Sequence, residues 1–230
     1  MFDQLDDVTI RVAVDRYRND TASCPLIETW DVSRVTDMNS LFKDFEDFNG
    51  NITHWNTSSV TNMSNIFSET DSFNQPLEWD TGNVTDMNGM FSGAYSFNQP
   101  LTFNGLPWNT ENVTNMNEMF AYAESFNQPL ELNTENVTNV SGMFNDATSF
   151  NQPLNFDTGN VENMNSMFRK ATNFNQPLNW DTSNVTDMSR MFYNARSFNQ
   201  HLNWNTSKVS DMDLMFEGSG GTLTDRDNDN

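Results

Sequence analysis

The chain has 230 residues, 32 acidic against 11 basic side chains, two histidines and a formal net charge of −21. Phosphate-rich partners need clustered lysine and arginine, so nucleic acid and anionic membrane surfaces are not expected. No apolar run reaches the roughly 18 residues of a spanning helix, no signal-peptide pattern precedes the repeats, and a single cysteine, Cys24, excludes an intrachain disulfide.

Residues 1–29 lie outside any repeat. Ile10, Ala13, Val14 and Tyr17 fall at i, i+3, i+4 and i+7, which predicts a helix from about Asp6 to Arg18 with one apolar stripe. The stripe is expected to cover the first unit of a repeat array, as an N-terminal helical cap.

Residues 30–217 repeat one idiom: Phe-Asn-Gln-Pro-Leu, an aromatic or Leu two residues on, Asn-Val-Thr-Asp/Asn-Met, then Met-Phe. Val35, Val60, Val84, Val113, Val137, Val161, Val185 and Val209 mark the copies, 24 residues apart in most cases. A fixed period of this length predicts a repeat solenoid in which no unit buries its apolar face alone. In the copy beginning at Phe150, Leu154 and Phe156 alternate with polar residues, as in a short strand with one buried side, and Pro153 marks its start. Asp157-Thr158-Gly159-Asn160 reads as a turn. Val161, Met164, Met167 and Phe168 suit a short helical or 3₁₀ turn facing inward. The expectation is one short parallel strand plus one such turn per 24-residue coil. Phe91, Phe120, Phe144, Phe168, Phe192 and Phe216 should form one packing column, and Phe73, Phe97, Phe126, Phe150, Phe174 and Phe198 another, with the methionines as core filler. Asn74, Asn98, Asn127, Asn151, Asn175 and Asn199 should form an amide ladder, with the adjacent glutamines either in it or facing solvent.

The copy Phe174-Asn-Gln-Pro-Leu-Asn-Trp180-Asp-Thr-Ser-Asn-Val185-Thr-Asp-Met188-Ser-Arg-Met-Phe192, and the earlier Trp30-Asp-Val-Ser33, resemble the BspA-like leucine-rich-repeat surface proteins, also met as mycoplasmal surface lipoprotein repeats. The resemblance covers about residues 25–217. It implies a right-handed, leucine-rich-repeat-like solenoid displayed at the cell surface or outside the cell, and used for adhesion or protein binding. It implies no particular ligand.

Departures from the period are where individuality is sought. Five extra residues fall between Leu101 and Asn112, within a stretch that includes Phe103, Asn104, Gly105, Leu106, Pro107 and Trp108. Insertions bulge from one face of a solenoid, so this stretch is either a binding site or a tolerated loop. His201 replaces the usual proline of the last copy. The array is expected to stop at an uncovered end marked by Met215 and Phe216, a surface for assembly with another chain. Residues 218–230 read as a flexible acidic tail or, through Asp225, Asp227 and Asp229, as the start of a calcium-binding module lacking the later glycine and glutamate. Recurrent carboxylates, such as Asp31, Asp80, Asp157 and Asp181 or Asp37, Asp86, Asp187 and Asp211, leave Ca²⁺ between coils as an alternative to a hydrated acidic surface. No other cofactor is expected. Of the many Asn-x-Ser/Thr sequons, Asn83, Asn112, Asn136 and Asn184 lie in register along one edge and could carry glycans if the turn leaves them free. His54 and His201 have no matching nucleophile, and there is no phosphate loop, so catalysis is not expected. Two readings remain: an extracellular adhesion or protein-recognition module, and a structural subunit stacked end to end into a fibre, its partners then copies of itself.

Overall fold

The computed structural model describes residues 4–224. Helix α1 spans Thr9–Asn19 and buries Ile10, Ala13 and Val14, with Tyr17 partly buried against the core, so the predicted stripe is the packed face. Asp6 starts the helix by accepting the N–H groups of Val8 and Thr9. Hydrogen bonds from the Thr9 backbone and hydroxyl hold its carboxyl below the ordinary range. Two single 3₁₀ turns, Thr21–Ser23 and Ile27–Thr29, lead into the repeats.

Eight repeats lie one upon the next. Single parallel bridges join Asp37, Asn62, Asp86, Asn115, Asn139, Asn163, Asp187 and Asp211 in unbroken sequence. This ladder runs beside the first methionine of each copy, or Val140 in its place, and not along the Leu-x-aromatic segment where the sequence places a strand. Strands at that segment are confined to β1 (Leu77–Glu78), which pairs in parallel with β2 (Leu101–Phe103), and β4 (His201–Leu202), which pairs in parallel with β5 (Thr222–Leu223). An antiparallel strand β3 (Leu106–Pro107) completes the first group. The expectation of one strand per coil at this segment is corrected accordingly: alternation of buried and exposed side chains there reflects one inward face and does not bring the backbones into pairing in most coils.

The helical or 3₁₀ turn expected over the Met-x-x-Met-Phe stretch is also corrected. Each copy holds two left-handed residues four apart: Ser40 and Asp44, Asn65 and Glu69, Gly89 and Gly93, Glu118 and Tyr122, Gly142 and Asp146, Ser166 and Lys170, Arg190 and Asn194, Leu214 and Gly218. Positive φ at every fourth residue is incompatible with a continuous helix. The stretch is instead a chain of overlapping turns, in which Ile66, Ser68 and Thr70 donate to the carbonyls of Met63, Asn65 and Phe67. The intervening N–H groups leave the coil: Met63, Asn65, Phe67 and Glu69 donate to Asp86, Asn88, Met90 and Ser92 of the next copy at 2.7–3.0 Å. The backbone thereby alternates between bonds that shape a coil and bonds that join coils.

Inside, both phenylalanine columns form as expected. Ring centroids repeat at 5.5–5.8 Å along Phe42 to Phe216 and at 5.7–6.0 Å along Phe48 to Phe198. Within a coil the two rings lie almost parallel, 4.0 Å apart for Phe67 and Phe73. The inner methionines from Met38 to Met191 are fully buried, which fits packing and not ligation.

The ends are closed by different chemistry. The first coil presents carbonyls, and α1 supplies charged donors: Arg11 reaches Asn39 O at 2.8 Å and Asp37 O at 3.3 Å, while Arg18 reaches Lys43 O at 2.8 Å. Asp7 supplies the matching acceptor, taking the N–H groups of Thr36 and Asp37 at 2.7 and 3.0 Å. At the other end, residues 218–224 are not a free tail. Gly220, Thr222 and Thr224 donate to Phe198, Gln200 and Leu202. A side chain on Gly221 would lie 2.7 Å from Phe198 and 2.8 Å from Phe216, so only glycine lets the backbone lie against those rings. Met215 is consequently buried and Phe216 half-buried, which corrects the expectation of an open end at these residues. The apolar side chains left exposed there are Met212 and Leu214.

Two substitutions probe these contacts. Gly93→Ala places a β-carbon at φ +72 and 2.7 Å from the Glu69 carboxylate, and is expected to cost about 1–2 kcal/mol in urea denaturation. Asp7→Ala removes the cap's acceptor and is expected to cost about 1–2 kcal/mol at pH 7, a value already reduced for partial solvent exposure. Burial alone would raise the Asp7 carboxyl, but hydrogen bonds from Asp37 and Thr36 and the Arg11 charge outweigh it and lower it. A lowered folded-state value gives stability that is complete above the ordinary aspartate value of 3.8 and fades as pH falls through the folded one. Denaturation of the parent and Asp7→Ala proteins between pH 7 and pH 2 should therefore show the difference between them shrinking in that acid window; a constant difference would remove the carboxylate from the account.

Candidate functional site

The insertion is a β-hairpin. Thr102 pairs with Pro107 and Phe103 with Leu106, and the turn residues Asn104 and Gly105 have φ of 52° and 74°. Two successive left-handed residues between antiparallel strands suit the right-handed twist of a hairpin, and Asn-Gly is the dipeptide that adopts them most readily. That pair is the sequence signal which, read with its apolar flanks, identifies the element as a hairpin and not an irregular bulge. The Glu78 carboxylate braces it from the preceding coil, accepting the Asn104 N–H at 3.0 Å and the Thr102 hydroxyl at 3.4 Å.

The six residues singled out by sequence do not act together. Trp108 is 2% exposed, stands in the aromatic position of its coil, and donates its indole N–H to Thr102 O. It belongs to the core, and its place in a binding surface is corrected. Phe103 is half-buried against the core. Asn104, Gly105, Leu106 and Pro107 are exposed; Leu106 is 67% exposed, and nothing lies within 4 Å of where a side chain on Gly105 would begin. The hairpin tip is therefore an apolar residue held clear of the array on a braced support.

Most other side chains with binding chemistry are engaged within the stack. Both aspartate columns hold local turns: Asp80 Oδ1 accepts Gly82 N–H and Asp86 Oδ1 accepts Asn88 N–H, and asparagine does the same at the equivalent Asn109 and Asn115. This shared task explains why Asp and Asn interchange there. Asp31 and Asp181 are held below the ordinary carboxyl range, Asp31 first by the Ser33 hydroxyl and Asp181 first by the Ser183 N–H. Among the described residues no group of three or more His, Cys, Asp or Glu could hold a metal ion. Asp225, Asp227 and Asp229 lie outside the described residues.

The asparagine ladder forms with a different partner from the one expected. From Asn74 to Asn175 each Oδ1 accepts from the next coil's backbone and from its glutamine, as when Asn98 Oδ1 takes Asn127 N–H at 2.9 Å and Gln128 Nε2 at 3.1 Å. The glutamines are thus part of the ladder. The sequon residues Asn83, Asn112, Asn136 and Asn184 each donate Nδ2 to a carbonyl of the preceding coil at 2.7–2.8 Å. A glycan would attach to the nitrogen that makes this bond.

Charge is distributed unevenly. No lysine or arginine occurs from residue 44 to residue 168, whereas Arg169, Lys170, Arg190, Arg196 and Lys208 occupy the last coils. In the acidic part, burial raises the Glu69 carboxyl, assisted by Asp71 and Asp44. In the basic part, Lys170 pairs with Asp146 at 3.0 Å and Arg169 lies 5.7 Å from the Tyr193 ring centre. His201 differs from its proline equivalents by bridging to the terminal strand, with Thr222 and Thr224 hydroxyls each 2.9 Å from one of its ring nitrogens. Among the described residues no helix is long and apolar enough to cross a membrane.

A family model described as "Mycoplasma protein of unknown function, DUF285" matches in four overlapping segments, residues 14–131, 78–155, 106–201 and 130–227. Overlapping matches of one model along the chain agree with its tandem repeats. Comparison with curated proteins and with solved structures gave no match.

Proposed function

The chain belongs to the DUF285 family of Mycoplasma proteins of unknown function, and we propose that it is a leucine-rich-repeat-like solenoid of the BspA-like kind, acting outside the cell or at its surface as an adhesion or protein-recognition module without catalysis. The observation that carries this reading is the hairpin. Its Leu106 is held in solvent by a brace from Glu78, in an array whose other large apolar side chains are almost all buried. An apolar side chain held in solvent on a braced hairpin gives a partner apolar surface to bury. The surrounding acidic coils favour a partner with a basic surface.

A fibre subunit is the second reading, and it draws on Met212 and Leu214, which are 42% and 44% exposed at the last coil. The opposite end weighs against it, because Arg11 and Arg18 already occupy carbonyls that an incoming coil would need.

The test is removal of residues 103–107, which restores the 24-residue period, followed by measurement of labelled protein binding to intact cells and to immobilised extracellular-matrix proteins. The recognition reading predicts at least about a tenfold loss of affinity, with the melting temperature kept within a few degrees. Unchanged binding would move recognition away from the hairpin. Light scattering over a concentration series separates the second reading: a constant particle mass opposes a fibre, and growth with concentration supports one.

A further inference from the structure

The face that carries the hairpin changes character in the last three coils. The position after the inward leucine is Glu78, Thr102 and Glu131 in earlier coils, but Asn155, Asn179 and Asn203 in later ones. All three carboxamides are exposed, and they succeed one another coil by coil beside aromatic rings whose centroids lie 6.2 and 5.9 Å apart. Among the described residues none of the three has a hydrogen-bond partner, although nearly every other repeated asparagine of the array is bonded to the next or the preceding coil.

Between the last two coils this strip borders a cavity of about 330 Å³, lined by Pro177, Asn179, Trp180, His201, Asn203 and Trp204 among others. No Asp, Glu, Lys or Arg lines it, in a chain with 32 acidic residues. Trp180 and Trp204 stack with centroids 5.9 Å apart and form its apolar floor. Trp180 is 7% exposed, and its indole N–H is the one buried side-chain polar atom without a partner among the described residues. The equivalent indoles of Trp79 and Trp204 donate to Ile52 O and Leu178 O of the preceding coil. The His201 wall is fixed by Thr222 and Thr224.

We propose that this strip and cavity form a binding site for a neutral saccharide chain. A carboxamide offers a donor pair and an acceptor side by side, which matches neighbouring hydroxyls of a pyranose ring. The proline ring and tryptophan edges offer apolar surface for its C–H faces. The lack of charge in the lining and the acidity of the whole chain select against polyanionic glycans. Repetition of the amide in three successive coils suits a ligand that itself repeats, because each further contact is made at high effective concentration. This inference rests on the recognition reading and gives it a ligand class at a place separate from the hairpin.

The experiment is calorimetric titration of the full chain with cellohexaose, maltohexaose and chitohexaose, which between them present equatorial, axial and acetamide-bearing linkages, with a sulfated oligosaccharide as the charged comparison. Binding of at least one neutral oligosaccharide is expected, tighter than that of the sulfated one. It should weaken about tenfold or more in Asn179→Ala/Asn203→Ala, whose exposed sites leave the melting temperature unchanged, and persist when residues 103–107 are removed. No binding by any of the three, equal binding by the double variant, or preference for the sulfated ligand would each overturn the site. If saccharides fail while the hairpin still captures a protein partner, the saccharide site is lost and the recognition reading stands.

Discussion

Every coil depends on one constraint: alternate N–H groups along the methionine-phenylalanine stretch must point out of the coil and into the next one. Two left-handed residues per copy achieve this, turning the chain so that donors such as Asn65 and Glu69 reach Asn88 O and Ser92 O. The cost of a left-handed conformation is about 1–2 kcal/mol for a residue with a side chain, and only Gly89, Gly93, Gly142 and Gly218 avoid it. Tyr122, Lys170 and Leu214 do not, so stacking and intercoil bonds must outweigh that cost. The phenylalanine columns provide the other half of the balance, since each ring meets its own equivalent above and below.

A ladder of this kind has polarity, and the ends reflect it. The first coil faces outward with carbonyls, which explains guanidinium groups on the cap helix and the lone acceptor Asp7 beside them. The last coil faces outward with N–H groups. There the chain provides a truncated further coil, in which Gly221 lets the backbone lie against Phe198 and Phe216 and Leu223 packs on the core. Carbonyls at one end and N–H groups at the other are complementary in kind, but Arg11 and Arg18 already occupy the carbonyl end, which opposes joining head to tail.

Much of this was legible in the residues. The period, the cap helix with Ile10, Ala13 and Val14 inward, and both phenylalanine columns follow from spacing alone. The left-handed positions were not, because their occupants range from glycine to leucine, and composition signals such a position only when glycine or asparagine fills it. The strand assignment failed because alternation at Leu154 and Phe156 reports burial of one side and says nothing about whether the backbone pairs. The C-terminal segment looked like a linker because glycine and serine are read as flexible, whereas Gly221 serves close approach to two rings. For the candidate sites, Asn104-Gly105 was a readable hairpin signal, but the contrast between bonded and free asparagines needed three dimensions. Asn136 and Asn155 look alike in sequence, and only the first donates to its neighbour's carbonyl.

The surface is shaped by the same stack. A framework that engages nearly all of its repeated polar groups internally leaves few of them unbonded, and the hairpin tip and the late amide strip stand out on one face as places where side chains are exposed and unengaged. The central claim is tested most directly by residue-resolved hydrogen exchange on the intact chain. The account predicts strong protection at Met116, Glu118, Phe120 and Tyr122 and at their equivalents through the inner coils, falling away at Met212 and Leu214, whose N–H groups have no acceptor among the described residues. Rapid exchange at Glu118 and Tyr122, comparable with the hairpin tip at Gly105, would contradict it.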